Sequence, residues 1–307
     1  MTRRSKRPAY LAAIITISCV AAIVSTFASG ALPPEVRSTV EKLAAPVFRA
    51  WASQSPLPAT TTGSGNLFYG NPSAAGTSPN NYFFETPYFV GSYNNSKGQA
   101  NWIGWRLVAA DSGKAPRFEF YPDPNLPSGF QVILPADYSN SGFDRGHICS
   151  HDDRSATNEA SYATFVMTNI FPQTAELNRG PWLGLEKYCR QVARAGYVLY
   201  IFAGGVGEGG VGYRGARRSF SSGNRKITVP AYCWKVVLIL DRTETINART
   251  RMIAVMMPNT NRVSEVWTDY LTTPRDIELV TGFTFFSDAP EEVQQGLHAL
   301  KTTTFAP

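Results

Sequence analysis

The 307-residue chain is long enough for one large domain or two small ones with a buried core. Hydrophobic residues form 43% and charged residues 17% of it, which excludes a chain that is disordered throughout. The formal charge is +6, but four positive charges lie in the first seven residues, and the chain after residue 30 carries 25 basic and 23 acidic residues. Overall charge therefore says little about a polyanionic partner, which would need a local cationic cleft.

The first 31 residues are typical of an export signal. A basic cluster precedes the uncharged apolar run 10–28, and small residues follow at 28–31. A secretory signal has this order, and the run is also close to the about 20 residues that span a bilayer. We expect an exported protein, either secreted or periplasmic after cleavage, or anchored in the membrane by residues 1–31.

Residues 32–65 predict a spacer, and residues 66–307 predict one folded domain. Pro46 interrupts a weak helical periodicity, and residues 53–65 are rich in Ser, Thr, Pro and Gly. Such a composition favours a linker, so we expect the spacer to be poorly ordered.

Three cysteines lie in the domain: Cys149, Cys189 and Cys233. One disulfide plus a free thiol is allowed in an oxidising compartment, and the sequence does not choose the pair. The absence of a Cys-x-x-Cys spacing disfavours a structural zinc site.

Strands and helices alternate irregularly along the domain. The predicted strands are 102–109, 197–203, 227–229, 232–240 and 252–257. The predicted helices are 159–166, 183–195 and one with Thr273 as N-cap, Pro274 first and Gly282 past its end. Residues 118–134 and the glycine run 204–210 predict loops. The lack of a βαβ rhythm favours an α+β fold.

His147 is the main candidate for acid–base chemistry. The chain has three histidines, and an unperturbed imidazole titrates near neutral pH, so it can take a proton from water. Taken alone, a histidine in a polar loop is more often solvated or structural, and the neighbouring signals favour the catalytic interpretation. The neighbouring His151, Asp152 and Asp153 could recruit a cation, but they indicate a solvent-exposed loop more strongly.

Two carboxamides and an acid–base pair follow His147. The side-chain oxygens of Asn169 and Asn178 are hard, neutral ligands that suit magnesium, although both residues could instead cap turns. Glu186 and Arg190 are four residues apart and share a helix face. They could simply form an ion pair on the protein surface. Alternatively, Glu186 could orient a metal-bound water while Arg190 neutralises a phosphate oxygen.

The ordered combination of these motifs resembles the DNA/RNA non-specific endonuclease family. The motifs are Asp144-Arg145-Gly146-His147, Asn169-Ile170-Phe171-Pro172-Gln173, Asn178 with Glu186, Met257-Pro258-Asn259, and Thr281-Gly282-Phe283-Thr284-Phe285-Phe286. The likeness covers residues 102–286. Many family members have Leu and Pro after the histidine, where this chain has Ile148 and Cys149.

The resemblance implies a central antiparallel sheet flanked by helices, with a ββα-metal site that holds one Mg²⁺, for which Mn²⁺ could substitute. It implies His147 as general base and Asn178 as metal ligand, with Glu186 holding metal-bound water. Arg145 and Arg190 match phosphate-contacting arginines, and Asn169 matches a supporting active-site residue.

Arg106 is a further phosphate candidate, by its place in an early strand alone. The implied reaction is hydrolysis of phosphodiester bonds in DNA and RNA with little base specificity. Two alternatives remain open: an exported nucleic-acid-binding or uptake protein without catalysis, and a phosphodiesterase for smaller substrates. The sequence leaves open the preference between DNA and RNA, the oligomeric state and any inhibitor partner.

Overall fold

An eight-stranded antiparallel sheet forms the centre of the protein. The structure is a computed structural model, which describes residues 57–58, 61–62, 65–247 and 250–298. In chain order its strands are β4 (Thr77–Ser78), β5 (Asn81–Glu85), β6 (Val90–Asn94), β7 (Gln99–Leu107), β10 (Val198–Val206), β15 (Tyr232–Leu240), β17 (Arg251–Pro258) and β18 (Leu271–Thr272). Their order across the sheet is β18-β17-β15-β10-β7-β6-β5-β4.

Ten shorter strands form five two-stranded ribbons outside this sheet. They are β1 (Leu57–Pro58) with β16 (Thr245–Ile246), β2 (Thr61–Thr62) with β3 (Leu67–Phe68), β8 (Asp144–His147) with β9 (Ile170–Gln173), β11 (Gly210–Gly212) with β12 (Gly215–Arg217), and β13 (Ser219–Ser222) with β14 (Arg225–Thr228). The helices are α1 (Asn158–Ala163), α2 (Ala175–Leu177), α3 (Leu183–Arg194), α4 (Pro274–Thr281) and α5 (Glu291–His298). The α+β fold with a central antiparallel sheet is thus confirmed.

The central strands β10 and β15 are apolar along nearly their whole length because both faces of the sheet are covered. Their register runs from Val198 opposite Leu240 to Val206 opposite Tyr232. On the first face, Tyr200, Val236 and other side chains pack with α4 and α5. On the second face, alternate residues of the same strands pack with α3 and the β8–β9 ribbon. Continuous apolar runs are typical of such doubly covered strands.

Local capping signals predicted α4 well. Thr273 accepts a hydrogen bond from the Asp276 backbone, Asp276 returns one, and Gly282 ends the helix at φ +73°. The prediction of a loop over 204–210 was wrong for its first half. Gly204 and Gly205 continue β10, and a Cβ on Gly204 would lie 2.3 Å from the Asn101 carbonyl oxygen, so glycine is needed for strand packing there.

The predicted signal segment 1–31 lies outside the described residues. Of the predicted spacer, residues 57–58 pair with β16 and residues 61–62 pair with β3. Cys149, Cys189 and Cys233 are all buried and free, so none of the allowed disulfides forms among them. Within the described ranges, no helix has the length and apolar character needed to cross a bilayer.

Candidate active site

A strand–strand–helix unit on the second face of the sheet carries most of the candidate residues. β8 and β9 pair antiparallel, with His147 opposite Ile170. Gly146 is needed in β8, because a Cβ there would lie 2.0 Å from Oε1 of Gln173. α2 and α3 follow β9, so the unit has the ββα order that the resemblance implies.

Two phenylalanines flank the His147 ring, and each carries an arginine. The centroid of the His147 ring lies 5.3 Å from that of Phe120 and 4.9 Å from that of Phe165. The guanidinium of Arg145 lies over Phe120 at 4.6 Å, and that of Arg117 lies over Phe165 at 5.2 Å. Both arginines are exposed. Cation–π contacts therefore hold two exposed guanidinium groups on the rings that flank the imidazole.

The His147 imidazole is neutral at neutral pH. Burial lowers its pKa to about 3, and Arg117 and His151 act in the same direction, against Asp152. Desolvation has this sign because it penalises the charged form of a base. The pKa of the folded ring thus lies well below that of an unperturbed imidazole. A ring without its proton is nevertheless the form that can accept one.

The two ring nitrogens of His147 have different surroundings. Nε2 is buried and has no hydrogen-bond partner among the described residues. Nδ1 does not share this combination of burial and missing partner. Nδ1 is thus the nitrogen through which the ring can meet water. For Nδ1 to accept a proton, the neutral ring must carry its own hydrogen on Nε2.

Asn169 fixes the chain that follows His147. Its Oδ1 accepts from the Cys149 backbone at 2.9 Å, and its Nδ2 donates to the carbonyl oxygens of Cys149 at 2.9 Å and Thr164 at 2.8 Å. The side chain is fully buried. Asn169 therefore positions the His147 loop through its backbone, which is compatible with the supporting role that the resemblance implies.

Asn178 lies where the helix is interrupted after α2. A π-helical turn, Asn178–Trp182, joins α2 to α3 and contains Gly180 in a non-helical conformation. Nδ2 of Asn178 donates to Oδ2 of Asp144 at 3.0 Å, and Arg179 also binds Asp144. Because Asp144 begins the strand that His147 ends, the Asn178 side chain is tied to the same strand as the imidazole.

The Asn178 amide suits a hydrated cation. Its nitrogen is engaged by Asp144, so its oxygen is left as the acceptor. Across the described residues, no group of three or more His, Cys, Asp or Glu side chains could cage a metal ion. Magnesium keeps several waters and needs only one or two protein oxygens, so these residues fit that ion better than zinc.

Glu186 and Arg190 share a face of α3, but that face is buried and each residue has its own partner. Oε1 of Glu186 lies 3.8 Å from Nζ of Lys235, which sits over the Trp182 ring at 4.1 Å. Arg190 donates to Asp153 at 2.9 Å. We call Glu186, Lys235, Arg190 and Asp153 the buried ion cluster. Burial raises the pKa of Glu186, and Lys235 opposes that shift.

Arg190 and Arg106 do not have the placements that the sequence interpretation gave them. Arg190 is buried and also contacts Asp152 at 3.2 Å, so a phosphate would have to displace carboxylates from it. Arg106 binds Glu244, whose carboxylate accepts from Tyr200 at 2.5 Å. Tyr200 belongs to the core on the first face, so Arg106 points away from the His147 unit.

Removing one charge from the buried ion cluster should destabilise the fold strongly. Lys235→Met should lower the free energy of unfolding by about 3–5 kcal/mol, because it leaves Glu186 buried without its cation. Adding Glu186→Gln should recover part of that loss. Urea unfolding measures both effects. The exposed Arg218–Glu208 pair is the control, and Arg218→Ala should cost at most about 1 kcal/mol. Equal losses for the two single variants would contradict this account.

Sequence reasoning gave no role to three residues of this site. The position of Lys235 in the sequence indicated a buried ion pair, since a lysine inside an apolar strand must find a buried partner. Asp144 stood in the quoted motif without an assigned role. Arg117 gave no local signal, because it lies in a loop whose path is set by distant contacts such as Tyr121 N to the Phe165 carbonyl.

Comparison with known proteins places this chain among nucleases. A family model described as DNA/RNA non-specific endonuclease matches residues 71–292. A nuclease from Nostoc sp. is 40% identical over 242 residues, which cover 76% of this chain and 85% of the relative. Nuclease C1 from Cunninghamella echinulata is 32% identical over 214 residues, which cover 66% of this chain and 82% of the relative.

A solved structure shares the fold. It is the crystal structure of the EndoG/EndoGI complex, with a TM-score of 0.60 at 22% identity. The match covers 72% of this chain and 90% of that chain. At this identity the likeness supports the architecture alone.

Proposed function

The chain belongs to the DNA/RNA non-specific endonuclease family, and from that premise we propose that it hydrolyses phosphodiester bonds in DNA and RNA with Mg²⁺ and little sequence specificity. One observation carries the proposal: the neutral His147 ring lies against two phenylalanine rings that each hold an exposed arginine, on the strand to which Asn178 is bound. Contacts to phosphate and sugar do not discriminate between bases.

In the proposed reaction, Nδ1 of His147 takes a proton from a water whose oxygen attacks phosphorus in line with the 3′ oxygen. The bond from phosphorus to the 3′ oxygen breaks, and the departing oxygen takes a proton from a second water, which gives a 5′ phosphate and a 3′ hydroxyl. Arg145 and Arg117 donate hydrogen bonds to the non-bridging phosphate oxygens and offset the negative charge that develops on them.

Oδ1 of Asn178 would hold Mg²⁺, with Mn²⁺ as a substitute, and the ion would supply positive charge to the phosphate and the departing oxygen. Glu186 would accept hydrogen bonds from water near Asn178, while Lys235 holds its carboxylate. Arg190 acts on the site through Asp153 rather than by touching phosphate, and Asn169 keeps the His147 loop in place.

A plasmid-nicking assay with magnesium, with manganese and with chelator tests the proposal, together with a structured RNA as second substrate. Cleavage of both substrates that chelator abolishes and either ion restores is the expected result. Tight binding without cleavage would favour the binding or uptake protein instead. Cleavage of small diesters alone would favour the phosphodiesterase.

Arg117 and Arg106 provide a matched pair of variants. Arg117→Ala should lower kcat/KM about 10- to 100-fold, because a hydrogen bond to a charged phosphate contributes about 1.5–3 kcal/mol. Arg106→Ala should leave kcat/KM within about twofold of the parent, since that guanidinium faces the other side of the sheet. Equal losses in the two variants would remove Arg117 from the site.

We also propose that the protein is exported, on the basis of the basic cluster and the apolar run 10–28. Mass spectrometry of the mature N-terminus distinguishes cleavage after the run from retention as an anchor. A mature protein found in the cytoplasm would contradict export.

A further inference from the structure

The β11–β12 hairpin presents an aromatic ring and a cation at its tip. Tyr213 is 69% exposed, which is unusual for a large apolar side chain in this protein. The guanidinium of the neighbouring Arg214 lies 5.9 Å from the centre of the Tyr213 ring. The ring and the charge therefore face solvent together, and neither contributes to a core.

The hairpin and the residues beside it are basic. Arg214, Arg217 and Arg218 lie within five residues of one another, and the nearest acid along the chain, Glu208, binds Arg218 at 3.2 Å. Within the part of the chain that the structure describes, the one side-chain hydrogen bond of Arg214 goes to the uncharged Asn140, at 3.2 Å. The hairpin thus keeps positive charge that is not neutralised by a neighbouring carboxylate.

The hairpin is fixed to the chain that leads into β8. Gly212 packs so closely on Gly142 that a Cβ would lie 2.3 Å from the Gly142 carbonyl oxygen. Two residues later, Asp144 holds Asn178.

The hairpin is also fixed to the start of α2. The backbone N–H of Val211 donates to the Asn259 carbonyl at 2.9 Å. Oδ1 of Asn259 accepts from the backbone of Thr174, the N-cap of α2, at 2.9 Å. The hairpin is therefore a rigid extension of the site on its Asn178 side.

We propose that the β11–β12 hairpin is a subsite for unpaired nucleic acid beside the scissile phosphate, in which a base stacks on Tyr213 while Arg214 and Arg217 contact flanking phosphates. The inference rests on the proposed function and adds a preference for single-stranded segments. Every base has a face that can stack on an aromatic ring, but a base inside a duplex does not present that face. The positive charge favours a polyanion over an apolar protein surface.

Binding in the His147→Ala background, in chelator, tests this subsite without cleavage. The probes are a labelled single strand of about 16 nucleotides and the duplex of the same sequence. Tyr213→Ala should raise Kd for the single strand at least about fivefold and leave Kd for the duplex within about twofold. Tyr213→Phe should bind like the parent. Arg214→Ala should weaken both probes and lower the salt slope by about one.

Arg242→Ala is the charge-matched control. Arg242 donates to the Gly196 carbonyl, at the end of β10 away from the hairpin, and its loss should leave both affinities within about twofold. An unchanged single-strand Kd in Tyr213→Ala, or an equal loss for both probes, would overturn the subsite. Failure of the parent to nick plasmid or bind either probe would instead overturn the proposed function.

Discussion

Replacing His147 with alanine should lower kcat by about 10²–10⁴-fold while the protein stays folded. The loss follows if Nδ1 takes the proton of the attacking water, since His151, the other imidazole beside Phe165, has its two ring nitrogens engaged by Asp152 and the Pro116 carbonyl. The measurement is initial rates of plasmid nicking, with thermal unfolding recorded beside them. His298 offers a matched control, because it binds Glu278 and the Phe285 carbonyl on the first face. Turnover equal to the parent in His147→Ala would refute the assigned role.

The low pKa of His147 makes the stability of the fold depend on pH, and the direction of that dependence is defined. The folded-state pKa of about 3 lies below the 6.5 of the unfolded chain, so the unfolded state binds the proton first as the pH falls. The stability contributed by the neutral ring is complete above about pH 6.5 and is lost as the pH falls towards 3. Protonation of His147 in the free enzyme should therefore not reduce kcat/KM between pH 7 and pH 5.

Local signals predicted the elements that are determined locally. The α4 cap depends on Thr273 and Asp276, which are three residues apart, and the sequence shows both. The strands 232–240 and 252–257 were predicted by their apolar runs alone. The loop prediction for the glycine run was wrong because Gly204 and Gly205 pack as strand residues against Asn101 and Pro230. These partners are far away along the chain, so a local sequence window does not show the contacts.

In the candidate site, too, the sequence predicted local features but not long-range contacts. The resemblance supplied the motif residues, and the structure brings His147 and Asn178 onto one unit. The sequence could not tell which face of β7 would be covered by which element, so it could not show that Arg106 points away from the His147 unit. His151 and Asp153, expected in a solvent-exposed loop, are buried, because α3 brings Arg190 to that loop. Long-range ion pairs of this kind leave no periodic pattern.

Asn178→Ala should remove nearly all magnesium-dependent cleavage, with kcat lower by about 10²–10³-fold at any accessible magnesium concentration. The amide supplies the one neutral oxygen that Asp144 orients, and alanine has no oxygen to replace it. Asp144→Asn should have a milder effect. It keeps an acceptor for Nδ2 but removes the charge, so we expect the magnesium needed for half-maximal rate to rise about 10- to 100-fold with a largely restored rate at saturation.

The two variants together separate ion binding from simple damage to the fold. Asn178 lies at the π-helical turn that joins α2 to α3, so a structural role would lower the melting temperature and affect binding of nucleic acid in chelator. A role in holding the ion leaves both unchanged and abolishes magnesium-dependent protection against thermal unfolding. Asn178→Ala that keeps parental turnover, or that still shows that protection, would place the ion elsewhere. The proposed division of labour between His147 and Asn178 would then fail, because the residue that holds the cation would no longer be the one tied through Asp144 to the strand of the imidazole.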